Sequence, residues 1–224
     1  MTDITLAVLD LAGTTVTDDG VVEQAFADAY DRSTVLHAFG SRDAVRAFAM
    51  QTMGQSKIVV FGELTSSADD AATANRDFEL AYAELVAGGA CAPMPGAFDT
   101  ITRLKTAGIA VTLTTGFSPV TRDALLDSLG WTGLADLVLS PGDVGRGRPF
   151  PDLNLTALIR TEALGVQNML VAGDTSSDML SGVRAGAGRV VGVLSGAHDE
   201  ETLVAAGASD ILPGIAGLPG LLGL

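Results

Sequence analysis

The stretch from Ile4 to Val16, ITLAVLDLAGTTV, constrains this chain more than any other. Its first six residues are mostly apolar and β-branched, without the polar alternation of a half-exposed strand, and predict a buried parallel strand. That strand ends on Asp10, ahead of a Gly-Thr-Thr turn. Open α/β sheets bind their ligands at the carboxyl ends of their strands, so Asp10 is placed where a ligand would sit. On its own, Asp10 reads equally well as the cap of a turn.

The second half of the chain repeats the pattern. Residues 109–115, 136–140, 168–173, 189–194 and 209–212 read as strands. Helices over 97–107, 119–129, 152–164 and about 176–185 separate them, with Gly108 closing the first and Gly130 capping the second. Alternation of this kind predicts an α/β fold built on a doubly wound parallel sheet. Between the first strand and this array, every segment from Val21 to about Gly89 reads helical. Val45, Phe48, Ala49 and Met53 share one helical face, as do Phe78, Tyr82 and Leu85. The polar turn Thr17-Asp18-Asp19-Gly20 and the run GGACAPMPG at 88–96 read as hinges. The expected organisation is a core of residues 1–16 plus 96–224, with 17–95 inserted as a small helical cap.

Charge narrows the partners. The chain carries 27 acidic residues against 13 Lys and Arg, a net charge of −14, which repels nucleic acid and anionic membranes. An anionic substrate must be attracted locally, by a metal or by a few well-placed bases. The lone Cys91 rules out an internal disulfide and fits a reducing cytoplasm. No signal peptide is expected, since no basic region precedes the first apolar run. The apolar tail LPGIAGLPGLLGL is too short, and too broken by Pro213 and Pro219, to be expected to span a membrane.

Three later segments carry chemistry. Thr115 and Gly116 follow the strand at 109–115, where a hydroxyl and unhindered backbone N–H groups suit a phosphoryl oxygen; an ordinary βα turn has the same look. Arg148, between Gly147 and Pro149, has a planar fork that matches such oxygens, or else is a solvated surface residue. Asp174 and Asp178, in GDTSSD, would join Asp10 in a cluster of acids at the sheet edge. Three carboxylates in one crevice repel unless a hard cation binds them, and Mg²⁺ prefers oxygen ligands of this kind. The plainer alternative makes Asp174 a helix cap and Asp178 a surface residue.

In order, D-x-x-G-T-T, T-T-G, G-R-P and G-D-x-x-x-D resemble the haloacid dehalogenase superfamily, whose members insert a cap after the first motif. The resemblance narrows further. Superfamily phosphatases mostly carry a second Asp two residues after the nucleophile and a lysine in the third motif; here these positions hold Ala12 and Arg148. DLAGTTV, the arginine, and Met53-Gly-Gln-Ser-Lys57 together resemble the phosphonoacetaldehyde hydrolase (phosphonatase) family and its close relatives. That resemblance implies a cap lysine, Lys57, that condenses with a substrate aldehyde, and a homodimer formed through the cap.

The substitutions are chemically consistent with one another. Ala12 cannot protonate an alkoxide leaving group as the second Asp does, although its carbonyl can still ligate a metal. Cleavage of a C–P bond instead needs an electron sink, which an imine on Lys57 would supply. Lys57 must be partly neutral to react, so its pKa should be lowered by apolar surroundings, Arg148 and Mg²⁺. The only other lysine, Lys105, reads as a solvated cation near a helix C-terminus. Two positions depart from the phosphonatase pattern: Val60 stands in place of its histidine, and Gly20 in place of its cysteine. His37, Ser56 or a water are the candidates to replace the histidine, His37 otherwise reading as a plain helical residue and His198 as a turn residue.

The leading expectation is therefore a Mg²⁺-dependent hydrolase acting on phosphonoacetaldehyde or another small 2-oxoalkylphosphonate. Asp10 would be the nucleophile, Lys57 the Schiff-base residue, and Arg148, Thr115 and Gly116 the phosphoryl holders. Met53 would wall the site; Asp10, the Ala12 carbonyl and Asp174 would hold the metal, with Asp178 either a metal ligand through water or the residue that orients the others. The alternatives are a phosphomonoester phosphatase of the same superfamily and a non-catalytic anion-binding protein.

Overall fold

The apolar runs form the strands they predict. A computed structural model describes residues 3–224 and contains β1 (Leu6–Asp10), β2 (Ala110–Thr114), β3 (Leu137–Leu139), β4 (Met169–Gly173), β5 (Arg189–Val193) and β6 (Asp210–Leu212). They make one six-stranded sheet in the order β3-β2-β1-β4-β5-β6, parallel throughout. β1 is buried along its whole length. From β1 the chain winds outward through β2 and β3, then returns to β4 on the other side of β1, so the topological switch point lies beside Asp10. Register aligns the site: Asp10 stands beside Thr114 and Leu9 beside Ala172.

The stretch between β1 and the next helix of the core holds α1 (Val21–Arg32), α2 (Arg42–Gln51), α3 (Lys57–Leu64) and α4 (Ala68–Ala87). Side-chain caps start two of them, Ser41 for α2 and Ser67 for α4, with Asp69 and Asp70 favouring the positive end of α4. The two hinge segments pair with each other: Thr17 N–H donates to the Ala92 carbonyl at 2.8 Å and Met94 N–H to the Thr15 carbonyl at 2.9 Å. Beyond them lie α5 (Ala97–Thr106), α6 (Pro119–Ser128), α7 (Asp152–Arg160), α8 (Ser176–Ala185), α9 (Glu200–Ala205) and α10 (Leu218–Leu222).

Three details differ from the sequence reading. α7 stops at Arg160 rather than 164, because Glu162 turns left-handed at φ 54°. α9 was not anticipated; it is six residues long and buries only Leu203, too little apolar periodicity to detect. The tail, read as broken by proline, forms α10 with Pro219 in its first turn, where a missing N–H costs nothing.

One apolar cluster runs from Ala7, Leu9, Val111 and Leu113 on the sheet into Phe26, Phe61, Phe78 and Tyr82 of the inserted helices. A second cluster covers the other sheet face through Leu6, Val8, Leu139, Met169 and Val171. Phe26 and Phe78 meet at 4.7 Å between ring centroids, and Tyr82 meets Phe117 at 4.4 Å. Such pairs contribute about 0.5–1.5 kcal/mol beyond area burial. Phe117 belongs to the turn after β2, so these rings fasten the inserted helices over the carboxyl edge of the sheet. Among the described residues, no helix is long and apolar enough to cross a membrane.

Candidate active site

Three adjacent strand ends converge. Asp10 ends β1, Thr115 and Gly116 follow β2, and Asp174 follows β4. All three of Asp10, Asp174 and Asp178 are buried. Asp178 lies inside α8, not on its surface: it forms a capping box with Thr175, accepting from the Thr175 N–H at 3.1 Å and hydroxyl at 2.5 Å. Thr175, not Asp174, is therefore the cap of α8. Asp174 is held just before it by the Thr14 hydroxyl at 3.0 Å and the Ala197 N–H at 2.8 Å.

Arg148 is buried too, which excludes the solvated-surface reading. Its Nη1 donates to Asp10 Oδ1 at 2.5 Å and to Asp178 Oδ1. Both oxygens of Asp178 thus accept hydrogen bonds, one from Arg148 and the other from Thr175 at the start of α8. Nε of Arg148 is buried without a partner among the described residues. Among the described residues only Nη1 of this guanidinium is engaged, which leaves a planar N–H edge of the kind that pairs with two oxygens at once.

The electrostatics ask for a cation. Asp10 is pushed well above the usual carboxylate range, first by burial and then by Asp178 and Asp174, with Arg148 pulling the other way. Burial, reinforced by Asp178, raises Asp174 to about 7. Oxygens of the three carboxylates lie within 4.8 Å of one another. Three carboxylates and one guanidinium leave a formal charge of −2, which a divalent ion balances. The Ala12 carbonyl accepts no hydrogen bond among the described residues, and Ala12 lines the same cavity. This donor set is all hard oxygen, as a Mg²⁺ site requires.

The inserted helices close the site from above. The Lys57 N–H donates to the Gly116 carbonyl at 3.2 Å, and the Ser177 hydroxyl donates to the Met53 carbonyl at 3.2 Å. Two glycines permit this approach. A Cβ on Gly116 would stand 2.5 Å from the Gln55 carbonyl oxygen, and one on Gly54, at φ +79°, would overlap the Thr175 hydroxyl. What remains is a cavity of about 30 Å³ lined by, among others, Asp10, Ala12, Met53, Lys57, Thr115 and Arg148. At roughly 10–15 Å³ per water, that is room for a couple of waters.

Lys57 is 5% exposed, which rules out a surface lysine. Its Nζ stands 5.7 Å from the Phe26 ring centre and 5.8 Å from that of Phe117, and it forms no ion pair among the described residues. Burial lowers its pKa from 10.5 to about 8; Asp18 opposes the shift and Arg148 adds to it. Lys105 differs from the solvated cation expected: it donates to the Leu134 carbonyl at 2.7 Å and pairs with Asp136 at 3.1 Å.

Sequence reading missed Thr14, Asp18, Phe117, Thr175 and Ala197. Only Thr14 had a local signal, being the first threonine of the D-x-x-G-T-T motif. Asp18, read as a hinge residue, lines the cavity with Lys57. Neither histidine lines it: His37 is exposed, with Nε2 3.1 Å from the Tyr30 carbonyl, and His198 Nδ1 accepts from the Ser176 N–H.

Residues 4–186 match the haloacid dehalogenase-like hydrolase family. A probable phosphatase, IndB, from Dickeya dadantii is 31% identical over 90% of this chain and 86% of its own length. A phosphonoacetaldehyde hydrolase from Pseudomonas putida is 29% identical over 87% and 74%. Among solved structures, a hydrolase from Pseudomonas syringae superposes with a TM-score of 0.86 at 24% identity, covering 98% of each chain. A phosphonoacetaldehyde hydrolase like protein from Oleispira antarctica gives 0.83 at 22% identity, over 98% of this chain and 91% of that one. The motifs, the parallel sheet and these matches agree: the chain belongs to the haloacid dehalogenase-like hydrolases and is an enzyme, similar in sequence to phosphonoacetaldehyde hydrolases.

Proposed function

We propose that this enzyme hydrolyses the C–P bond of a small 2-oxoalkylphosphonate, phosphonoacetaldehyde or a close analogue, by way of an imine on Lys57. The observation that carries the reading is a buried, unpaired lysine of lowered pKa sharing one cavity with Asp10 and Arg148, in a chain with no acid at position 12. The neutral amine of Lys57 adds to the substrate carbonyl, and loss of water leaves a protonated imine. Asp10 attacks phosphorus; the C–P pair moves into the imine, giving an enamine and an aspartyl-phosphate. Arg148, through Nε and Nη2, and Thr115 and Gly116, through hydroxyl and N–H, hold the phosphoryl oxygens. Met53 walls the carbonyl end. Water then releases phosphate from Asp10 and the carbonyl product from Lys57.

Asp10, the Ala12 carbonyl and Asp174 would hold Mg²⁺, with Asp178 orienting them; the ion would neutralise charge building on the transferring phosphoryl group. The insertion 17–95 serves as the cap that opens and closes. The same reading carries the cytoplasmic location that suits Cys91 and a homodimer through the cap. Phosphate release from a panel of carbonyl phosphonates and phosphate esters tests it. Turnover of esters alone would replace it with the phosphomonoester phosphatase reading, and turnover of neither with that of an anion-binding protein.

Two substitutions follow. Asp174→Asn should remove most turnover and most of the Mg²⁺-dependent rise in melting temperature, which is worth about 2.7 kcal/mol when metal exceeds its Kd 100-fold. An unchanged rise would refute Asp174 as a ligand. Ala12→Asp should raise any weak phosphate-ester hydrolysis by roughly 10²–10⁴-fold, because it supplies the missing leaving-group proton. C–P cleavage should gain nothing. Parallel gains on both substrates would show that leaving-group protonation is not what Ala12 withholds.

A further inference from the structure

Imine chemistry leaves one requirement unassigned, a group that moves protons between nitrogen and the substrate oxygen. Val60 is buried and carries no proton, and neither histidine reaches the cavity. The ionisable residues lining it are Asp10, Asp18, Lys57, Arg148 and Asp174. Asp10 is taken by phosphorus, Asp174 by the metal, and a guanidinium does not give up its proton. We propose that Asp18 is the proton carrier for Lys57, a deepening that rests on the Schiff-base reading above.

Geometry supports the assignment. Asp18 follows the paired hinge segments, so its backbone is anchored where the cap joins the core. Its Oδ1 accepts from the Val22 N–H at 3.0 Å, which fixes the carboxyl and leaves Oδ2 without a partner among the described residues. Asp18 and Lys57 line one cavity yet form no ion pair within 4.0 Å among the described residues. Of the charges acting on Lys57, Asp18 exerts the strongest pull. Burial also raises the Asp18 carboxyl above its usual range, which favours a proton there.

The proton balance closes. The amine lone pair of Lys57 bonds to the carbonyl carbon while the carbonyl π pair moves to oxygen, and one proton passes from nitrogen to that oxygen. The Asp18 carboxyl then protonates the resulting hydroxyl. The C–O pair leaves with water, and nitrogen's lone pair completes the protonated imine. After C–P cleavage the enamine carbon takes a proton from solvent. The Asp18 carboxylate then removes a proton from the water that adds to the product imine, which restores its starting form.

The test compares Asp18→Asn and Asp18→Glu with the unaltered enzyme. The readouts are the rate at which borohydride fixes phosphonoacetaldehyde carbon onto Lys57 and the affinity for inorganic phosphate with Mg²⁺ present. Asparagine keeps the acceptor for Val22, so α1 should start as before. Trapping in Asp18→Asn should slow by roughly 10²-fold or more, with phosphate affinity changed far less and glutamate recovering part of the rate. A merely electrostatic role predicts the opposite sign, because losing the Asp18 charge frees more neutral Lys57 and would speed trapping. Trapping at the native rate in Asp18→Asn, or an equal collapse of phosphate affinity, overturns the role of Asp18 alone. No label on Lys57 in the unaltered enzyme overturns the Schiff-base reading, and Asp18's role with it.

Discussion

Asp10→Asn should lower phosphate release by at least about 10⁴-fold on every substrate, phosphonate or ester, because an amide cannot form the aspartyl-phosphate. The geometry makes this substitution unusually clean. Asparagine has the same shape and can still accept from Arg148, whose Nη1 also keeps Asp178. The stability effect should run the other way. Burial raises the Asp10 carboxyl well above 3.8, so keeping this group in the folded site costs stability once pH exceeds its unfolded range. For a carboxyl raised on folding, stability falls as pH climbs from the unfolded pKa to the folded one. Asparagine escapes that cost, and the metal-free variant should melt no lower than the native protein. Rapid acid quench during turnover should recover protein-bound phosphate from the native enzyme and none from the variant. Retention of more than one hundredth of the native rate would move the nucleophile elsewhere.

Local signals were enough to place much of this site. Asp10, Thr115, Arg148 and Asp174 each follow or end an apolar run or open a helix, and such boundaries are properties of short windows. The sheet and the helical character of 21–87 were legible for the same reason. Depth was not. Arg148 looked as much like a surface residue as a ligand, since nothing near Gly147 reveals that Asp10 and Asp178 close around it. Asp178 reads in the sequence as a water-mediated ligand, an orienting residue or a surface acid, and no short window shows that its two oxygens accept from Arg148 and Thr175.

Long-range packing accounts for the other omissions. Thr14 and Ala197 reach Asp174 from turns 160 and 23 residues away. Asp18 shares a cavity with Lys57 only because the hinge pairs with residues 92–94 and α3 docks on Gly116. Phe117, one residue past the T-T-G motif, carries the aromatic cluster of the inserted helices down to the sheet, and its partner Tyr82 lies 35 residues earlier. Apart from Thr14, which sits in the D-x-x-G-T-T motif, none of these residues has a period or a motif that marks its distant partner.

Lys57→Arg separates the phosphonatase reading from the phosphatase one. A guanidinium forms no such imine and stays protonated, so C–P cleavage should fall by a factor on the order of 10⁴ while positive charge is retained. An ester phosphatase would use Lys57 only to bind, and arginine would largely serve. In the native enzyme, borohydride with phosphonoacetaldehyde should inactivate and fix label on Lys57. The chain has two lysines, and Lys105 is held by Leu134 and Asp136, so peptide mapping is unambiguous. Acidity supplies an independent check. Burial lowers Lys57 to about 8, so the neutral amine, and with it the trapping rate, should rise through about pH 8 and then level off. Between that pH and 10.5 the unfolded chain binds the extra proton, so this residue's contribution makes stability increase with pH across the window. Lys57→Met should abolish that increase. Full turnover in Lys57→Arg, or label confined to Lys105, would end the Schiff-base mechanism and leave an ester phosphatase in its place.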